Sequence, residues 1–155
     1  MSYILQENDL QVNNESPILC SECQGGCCKN MGCHYSPRDF KQINIKTLKK
    51  LIDEGNTSID WWEGDILDED RDRTYYLRIR NKNSKIVDPS CGGECILLTE
   101  EGCNLSFFNR PMGGRALLPS EKGAGNCKTE YSKEDYCKEW YPYQNILGFL
   151  VEMYQ

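Results

Sequence analysis

Four thiols stand within nine residues, at Cys20, Cys23, Cys27 and Cys28, and Cys33 and His34 follow just beyond them. The run reads C-x-x-C-x-x-x-C-C and holds Gly25 and Gly26. Glycines free the backbone for a tight turn, and a tight turn lets two or more sulfurs converge on one centre. A chain with this stretch is constrained to organise itself around a metal ion or a cluster, although the spacing does not say which metal. The composition points the same way. With 155 residues, an apolar fraction of 39% and a mean hydropathy of -0.66, hydrophobic burial needs help from cross-links. Ten cysteines are present to supply them.

How the thiols are used depends on the compartment. Residues 1–17 show no basic stretch, no apolar run of signal-peptide length and no small-residue cleavage site. No apolar stretch approaches the roughly 18 to 20 residues that span a bilayer. The longest, residues 146–153, is interrupted by Gly148 and Glu152. The expectation is a cytoplasmic protein with no membrane partner, whose cysteines are metal ligands or thiols rather than disulfides. An exported disulfide scaffold is the reading this displaces. A net charge of -6 and a pI near 4.9 argue against nucleic acid as a partner.

Residues 1–17 read as a flexible N-terminal segment, with Tyr3, Ile4 and Leu5 as an anchor, and residues 18–155 as one cysteine-cluster domain. After the cysteine run, Ser36-Pro37-Arg38-Asp39 has a cap, a proline and an acid in the order that starts a helix, with Phe40 and Ile43 inward. A second helix is expected from a Thr47 cap, with Leu48, Leu51 and Ile52 on one stripe and Gly55 as the stop. Residues 59–62 read as a short extended piece. Residues 65–72 read as a solvated acidic loop, because they lack the glycine and closing glutamate of a calcium loop. Residues 74–80 alternate, Tyr75, Leu77 and Ile79 against Tyr76, Arg78 and Arg80. The turn residues 81–84 then predict a hairpin with residues 85–87. Near the C-terminus, Ser132 to Asp135 is a capping signature, Pro142 breaks or kinks the helix, and Tyr143, Leu147, Leu150, Val151 and Tyr154 keep helical spacing. That last stripe is expected to cover the sheet, and Trp61, Trp62, Trp140 and Tyr141 to fill space around the metal.

A second cysteine group comprises Cys91, Cys95 and Cys103, the last two separated by an apolar tripeptide and an acidic turn with Gly102. A small hairpin would bring the Cys95 and Cys103 thiols together as partners for the first run. A metal closing so long a loop constrains the unfolded chain. Together with Arg110-Pro111 and Arg115, these motifs resemble the YkgJ-type cysteine-cluster proteins, a family described as zinc- or iron-chelating; the flagellin lysine methylases are similar in carrying such a cluster. The resemblance covers roughly residues 20 to 115 and places the family's first knuckle on Cys20, Cys23, Cys27 and Cys28 and its second on Cys95 and Cys103. It departs at Gly114, where the family has a cysteine before the last arginine, and Cys127 is the expected replacement.

Structural zinc and iron-sulfur clusters both take four ligands, so zinc, iron and a cluster all remain open. The candidate ligands are Cys20, Cys23, Cys27, Cys28, Cys95 and Cys103, then Cys127 and Cys33. Cys91 comes last, with Cys137, which is expected to be a buried thiol beside Tyr136 and Trp140. The sole histidine, His34, is expected to be exposed or hydrogen-bonded rather than a ligand, and a catalytic Cys/His pair is disfavoured. Arg110 and Arg115 either offset thiolate charge or decorate a surface turn, and the amides of Gly113 and Gly114 could meet an anion.

The fold expected is α+β: a small metal-stapled domain with a short antiparallel sheet, several short helices and much irregular structure. The function expected is metal binding, with zinc or iron at least partly structural and room for a protein partner. The alternative is an iron-dependent redox or protein-modifying enzyme. Oligomeric state is left open.

Overall fold

The computed structural model describes residues 32–64, 72–89, 93–100, 102–105, 109–115 and 131–155, and the side chains of Gly102, Cys103 and Arg115 are not among what it describes. Residues 1–17, the first cysteine run and the acidic stretch at 65–71 lie outside these. What is described is a small α+β fold built on two antiparallel strands. Strand β1 (Thr57–Glu63) pairs with β2 (Arg73–Ile79), Thr57 opposite Ile79 and Glu63 opposite Arg73.

The alternation in residues 74–80 does mark a strand, but its partner is not residues 85–87. The chain turns where expected, with the Ser84 amide donating to the Asn81 carbonyl at 3.1 Å. It then crosses to the far side of β1, where Ile59 N donates to Ile86 O at 2.7 Å and Asp88 N to Ile59 O at 3.0 Å. Ile59 and Val87 make a parallel bridge there. The reason is pairing length: β1 offers seven residues in register, and the short segment is better used on the second edge of β1.

In β2, Leu77 and Ile79 are fully buried, and so are Tyr76 and Arg78 on the opposite, more polar face. Arg78 is accommodated by a partner on β1. Its Nε donates to Asp60 Oδ2 at 3.0 Å, both side chains being 0% exposed. Its other nitrogens donate to the carbonyls of Ile79 (3.2 Å) and Asp88 (3.1 Å). Tyr76 Oη donates to the same Asp60 oxygen at 2.6 Å, and Asp60 Oδ1 accepts from Trp61 N at 2.7 Å. A buried guanidinium is tolerated when its donors meet acceptors this completely.

Helix α1 (Ile45–Asp53) turns Leu48, Leu51 and Ile52 inward as expected. Its cap is Asn44 rather than Thr47: Asn44 Oδ1 accepts from Thr47 N at 2.8 Å, which puts Thr47 one turn inside the helix. Gly55, at φ 93°, follows the last turn. The Ser36 capping box forms as read, closing a single 3-10 turn, Pro37–Asp39. Helix α2 (Met112–Arg115) is one short turn. Helix α3 (Lys133–Trp140) begins at the expected box of Ser132 and Asp135, and a 3-10 turn at Pro142 (Tyr141–Tyr143) leads into α4 (Gln144–Tyr154). Leu147, Leu150 and Val151 of α4 join Leu48, Leu51, Ile52, Ile59, Leu77 and Ile79 in one apolar cluster. Trp140, also buried, donates its indole N–H to Tyr35 O at 2.8 Å. Trp61 and Trp62 lie at the end of β1 remote from Ile79, away from the cysteines described below, and Trp61 carries Arg73 over its ring at 4.3 Å.

Breaking the buried pair from one side leaves an uncompensated charge. Asp60→Ala is expected to destabilise the fold by about 3–5 kcal/mol, read as a fall in the urea midpoint. A loss under about 1 kcal/mol would mean that Arg78 reaches water in the folded state.

Candidate metal centre

Residues 77–82 carry neighbours on both edges. On one edge Leu77 O accepts from Tyr35 N at 2.9 Å, Ile79 N donates to Cys33 O at 2.8 Å, and Asn81 Oδ1 accepts from Gly32 N at 3.0 Å. His34 bridges to Arg78 in the antiparallel sense. Consecutive residues of an extended chain turn their backbone groups to opposite edges. Arg80 accordingly faces the other way: its N–H donates to Asn56 O at 2.8 Å and its carbonyl accepts from Ile96 N at 2.9 Å. Lys82 N then donates to Glu94 O at 2.9 Å, and Asn81 pairs with Cys95. The chain leaving the first cysteine run and the chain carrying Cys95 thus flank the same few residues. With strands about 4.8 Å apart, the two flanking backbones run on the order of 10 Å from each other, within reach of converging side chains.

The expected small hairpin is present as β3 (Leu98–Thr99) and β4 (Gly102–Cys103). Its register sets Leu98, not Cys95, opposite Cys103, so Cys95 lies three residues before the paired part. Of the candidate ligands, Cys20, Cys23, Cys27, Cys28 and Cys127 lie outside the described residues, as does Cys91 and the side chain of Cys103. Cys33, half-buried, and Cys95, buried, are described, and neither is in a disulfide. Among the described residues no group of three or more His, Cys, Asp or Glu side chains is arranged to hold a metal ion.

The surroundings of Cys33 are built by α2. Gly113 N donates to His34 O and Gly114 N to Pro111 O, both at 2.9 Å, while Met112 N donates to the buried Asp39 carboxylate at 2.8 Å. The two glycine amides are therefore engaged within the protein, which removes the anion role considered for them. This backbone presses directly on residues 33–34: a Cβ on Gly113 would stand 2.6 Å from His34 N, and one on Gly114 would stand 3.3 Å from Cys33 Sγ. The thiol that meets Gly114 is thus that of Cys33. Arg110 reaches the same spot, its Cβ 3.3 Å from where the Gly114 Cβ would be, while its Nε donates to Leu105 O at 3.1 Å. Arg110 therefore fixes a turn, as the second of its two expected roles has it.

His34 departs from expectation. Its ring lies between Tyr136, stacked at 5.0 Å, and Tyr76, tilted at 5.2 Å, and Nε2 is buried with no hydrogen-bond partner. Burial lowers its pKa to about 4; nearby Asp60 opposes the shift, and Lys133 and Arg78 add to it. The imidazole is neutral at physiological pH. Nothing in the local sequence marks this setting, because Tyr76 and Tyr136 come from elements far along the chain. Burial also raises the phenols of Tyr76 and Tyr136 above the ordinary range. Cys137 is fully buried, as expected of a packed thiol, and burial pushes it up to about 12.

No described helix is long and apolar enough to cross a membrane. No protein-family model, curated protein or solved structure matches the chain.

Cys137 supplies a pH test. Its pKa is raised in the fold from an ordinary 9.0 to about 12, so the protonated thiol favours the folded state below pH 9, and that contribution is lost as pH rises toward 12. Tyr76 and Tyr136, raised in the same direction, steepen the loss. Urea midpoints are expected to fall progressively above about pH 9, less so in Cys137→Ala than in the parent. At neutral pH, mass spectrometry after iodoacetamide treatment is expected to show Cys137 modified in denaturant and protected in the native protein.

Proposed function

We propose that this protein is a metal-binding cysteine-cluster protein of the YkgJ type, holding zinc, iron or an iron-sulfur cluster that is at least partly structural. The ligands come from Cys20, Cys23, Cys27 and Cys28 in the first run, Cys95 and Cys103 in the second, and Cys33 and Cys127 beside them. One observation carries the reading. Gly32 and Cys33, which leave the first run, hydrogen-bond to one side of residues 79–82, and Glu94 and Ile96, which flank Cys95 of the second group, hydrogen-bond to the other. Two chain segments some sixty residues apart in sequence (95 less 33 is 62) thus flank the same short stretch, which favours a centre shared by their cysteines.

The metal supplies a charge-dense centre that deprotonates and gathers thiolates. The protein supplies the frame: β2 sets the separation of the two groups, and α2 lays its glycines and Arg110 against Cys33. Arg110, a cation close to the thiolates, lowers the cost of assembling their charge.

Protein purified without air is expected to carry tightly bound zinc or iron by elemental analysis, and strong chelator is expected to lower its thermal midpoint. Absorption in the visible together with acid-labile sulfide would identify the cluster form, and colourless protein with stoichiometric zinc the simple ion. Metal-free protein whose thiols stay unreactive in denaturant until reductant is added would overturn the proposal.

A further inference from the structure

Helix α2 is held in place from outside itself. It is a single turn of four residues that include Gly113 and Gly114, too short and too rich in glycine to be helical on its own. Yet it lies against the thiol of Cys33, so closely that a Cβ on Gly114 would stand 3.3 Å from Sγ. Two long-range hydrogen bonds place it there. Gly113 N donates to His34 O at 2.9 Å, and Met112 N donates to Asp39 Oδ2 at 2.8 Å, 73 residues apart in sequence.

The second bond uses a carboxylate that is fully buried, and burying a carboxylate is costly unless donors meet it. Asp39 Oδ2 also accepts from Ser36 N at 3.0 Å, as part of the capping box. Capping alone needs no burial: in the box at Ser132 the acid, Asp135, accepts from Ser132 N and Oγ at the surface. What burial adds at Asp39 is the reach to Met112 N. One oxygen thereby ties Ser36 to the first residue of α2, and its charge makes both bonds stronger than neutral ones.

We propose that Asp39 is the positioning residue of Cys33: its carboxylate clamps α2 onto residues 33–36, and so fixes the place of the Cys33 sulfur and the access of outside reagents to it. The inference concerns the thiol itself and stands with or without a bound metal. Under the metal-binding reading, Asp39 holds one of the candidate ligands in place.

The test uses the full chain without air, as purified and again after dialysis against chelator. In Asp39→Ala the Gly113 amide is expected to exchange with deuterium on the order of tenfold faster than in the parent. Cys33 is expected to react with iodoacetamide faster by a similar factor, read by mass spectrometry. Two references separate a lost clamp from a weakened fold: the Ile59 amide, bonded to Ile86 O, and the fully buried Cys137 thiol are expected to keep their parent rates. Asp39→Asn, which keeps an oxygen to accept both N–H groups, is expected to return both rates close to the parent's. Unchanged rates at Gly113, or at Cys33 in both preparations, overturn the proposal. So does equal acceleration at Ile59 and Cys137, or an Asp39→Asn protein as fast as Asp39→Ala. If Asp39→Ala does not fold, the parent decides: its Met112 amide is expected to be protected together with that of Gly113, and free exchange at Met112 overturns the proposal.

Discussion

The two-sided hydrogen bonding of residues 77–82 is the constraint on which the remaining arrangement depends. A strand inside a fold must find partners for the backbone groups of both edges, because an orphaned group away from water costs as much as a lost hydrogen bond. One edge of β2 is met along its length by β1. The other is assembled from pieces. The Gln144 side chain acts as a substitute strand, accepting from Tyr75 N at 2.7 Å and donating to Tyr75 O at 2.9 Å, and residues 33–35 take over from Leu77 onward. Beyond the end of β1, residues 94–96 continue the pairing. Each piece is distant in sequence, Gly32 and Asn81 lying 49 residues apart. Closure entropy grows slowly with loop length, so the main cost is ordering the segments themselves. The apolar cluster under β2, which includes Cys95 and Cys137, meets that cost for the sheet, with Cys33 packed against it.

The buried charge on the sheet shows how far local pattern can be read. Alternation in residues 74–80 identified a strand because side-chain direction along a strand is a local property. It could not say that Arg78 is inside, since that depends on Asp60, 18 residues earlier and across the sheet. An arginine opposite a serine and diagonal to an aspartate is polar in sequence and satisfied in structure. The capping boxes at Ser36 and Ser132 were legible because donor and acceptor lie three residues apart. Asn44 was missed for a related reason: Thr47 is also a good cap, and only the path of the chain into α1 decides between them.

For the candidate centre, spacing identified the thiols but not what surrounds them. Cys137 was recognisable as a packed thiol from its aromatic neighbours on one helix face, and burial keeps it protonated. The setting of His34 was not recognisable, because Tyr76, Tyr136, Asp60 and Lys133 arrive from β1, β2 and α3. Placed next to a cysteine in sequence, His34 suggests a ligand; stacked between two phenols with Nε2 enclosed, it acts as packing for the face that carries Asp60 and Arg78. A neutral imidazole suits that place, since Arg78 and Lys133 already outnumber the one carboxylate they share and a third cation would add to the repulsion.

The glycine at 114 takes on a physical meaning in this frame. Gly113 is required by contact with backbone, where a neighbour cannot yield: a Cβ there would stand 2.6 Å from His34 N and 2.8 Å from His34 O. Gly114 differs, because what it faces is a sulfur, with the Arg110 side chain alongside. A side chain at 114 would press on the thiol at 33. A Cβ at 114 asks the Cys33 sulfur to give by a few tenths of an ångström, while α2 itself is tied down by Asp39 and by the backbone of His34. The glycine at 114 and the cysteine at 33 are thus fitted to each other across the contact between the short helix and the edge of the sheet.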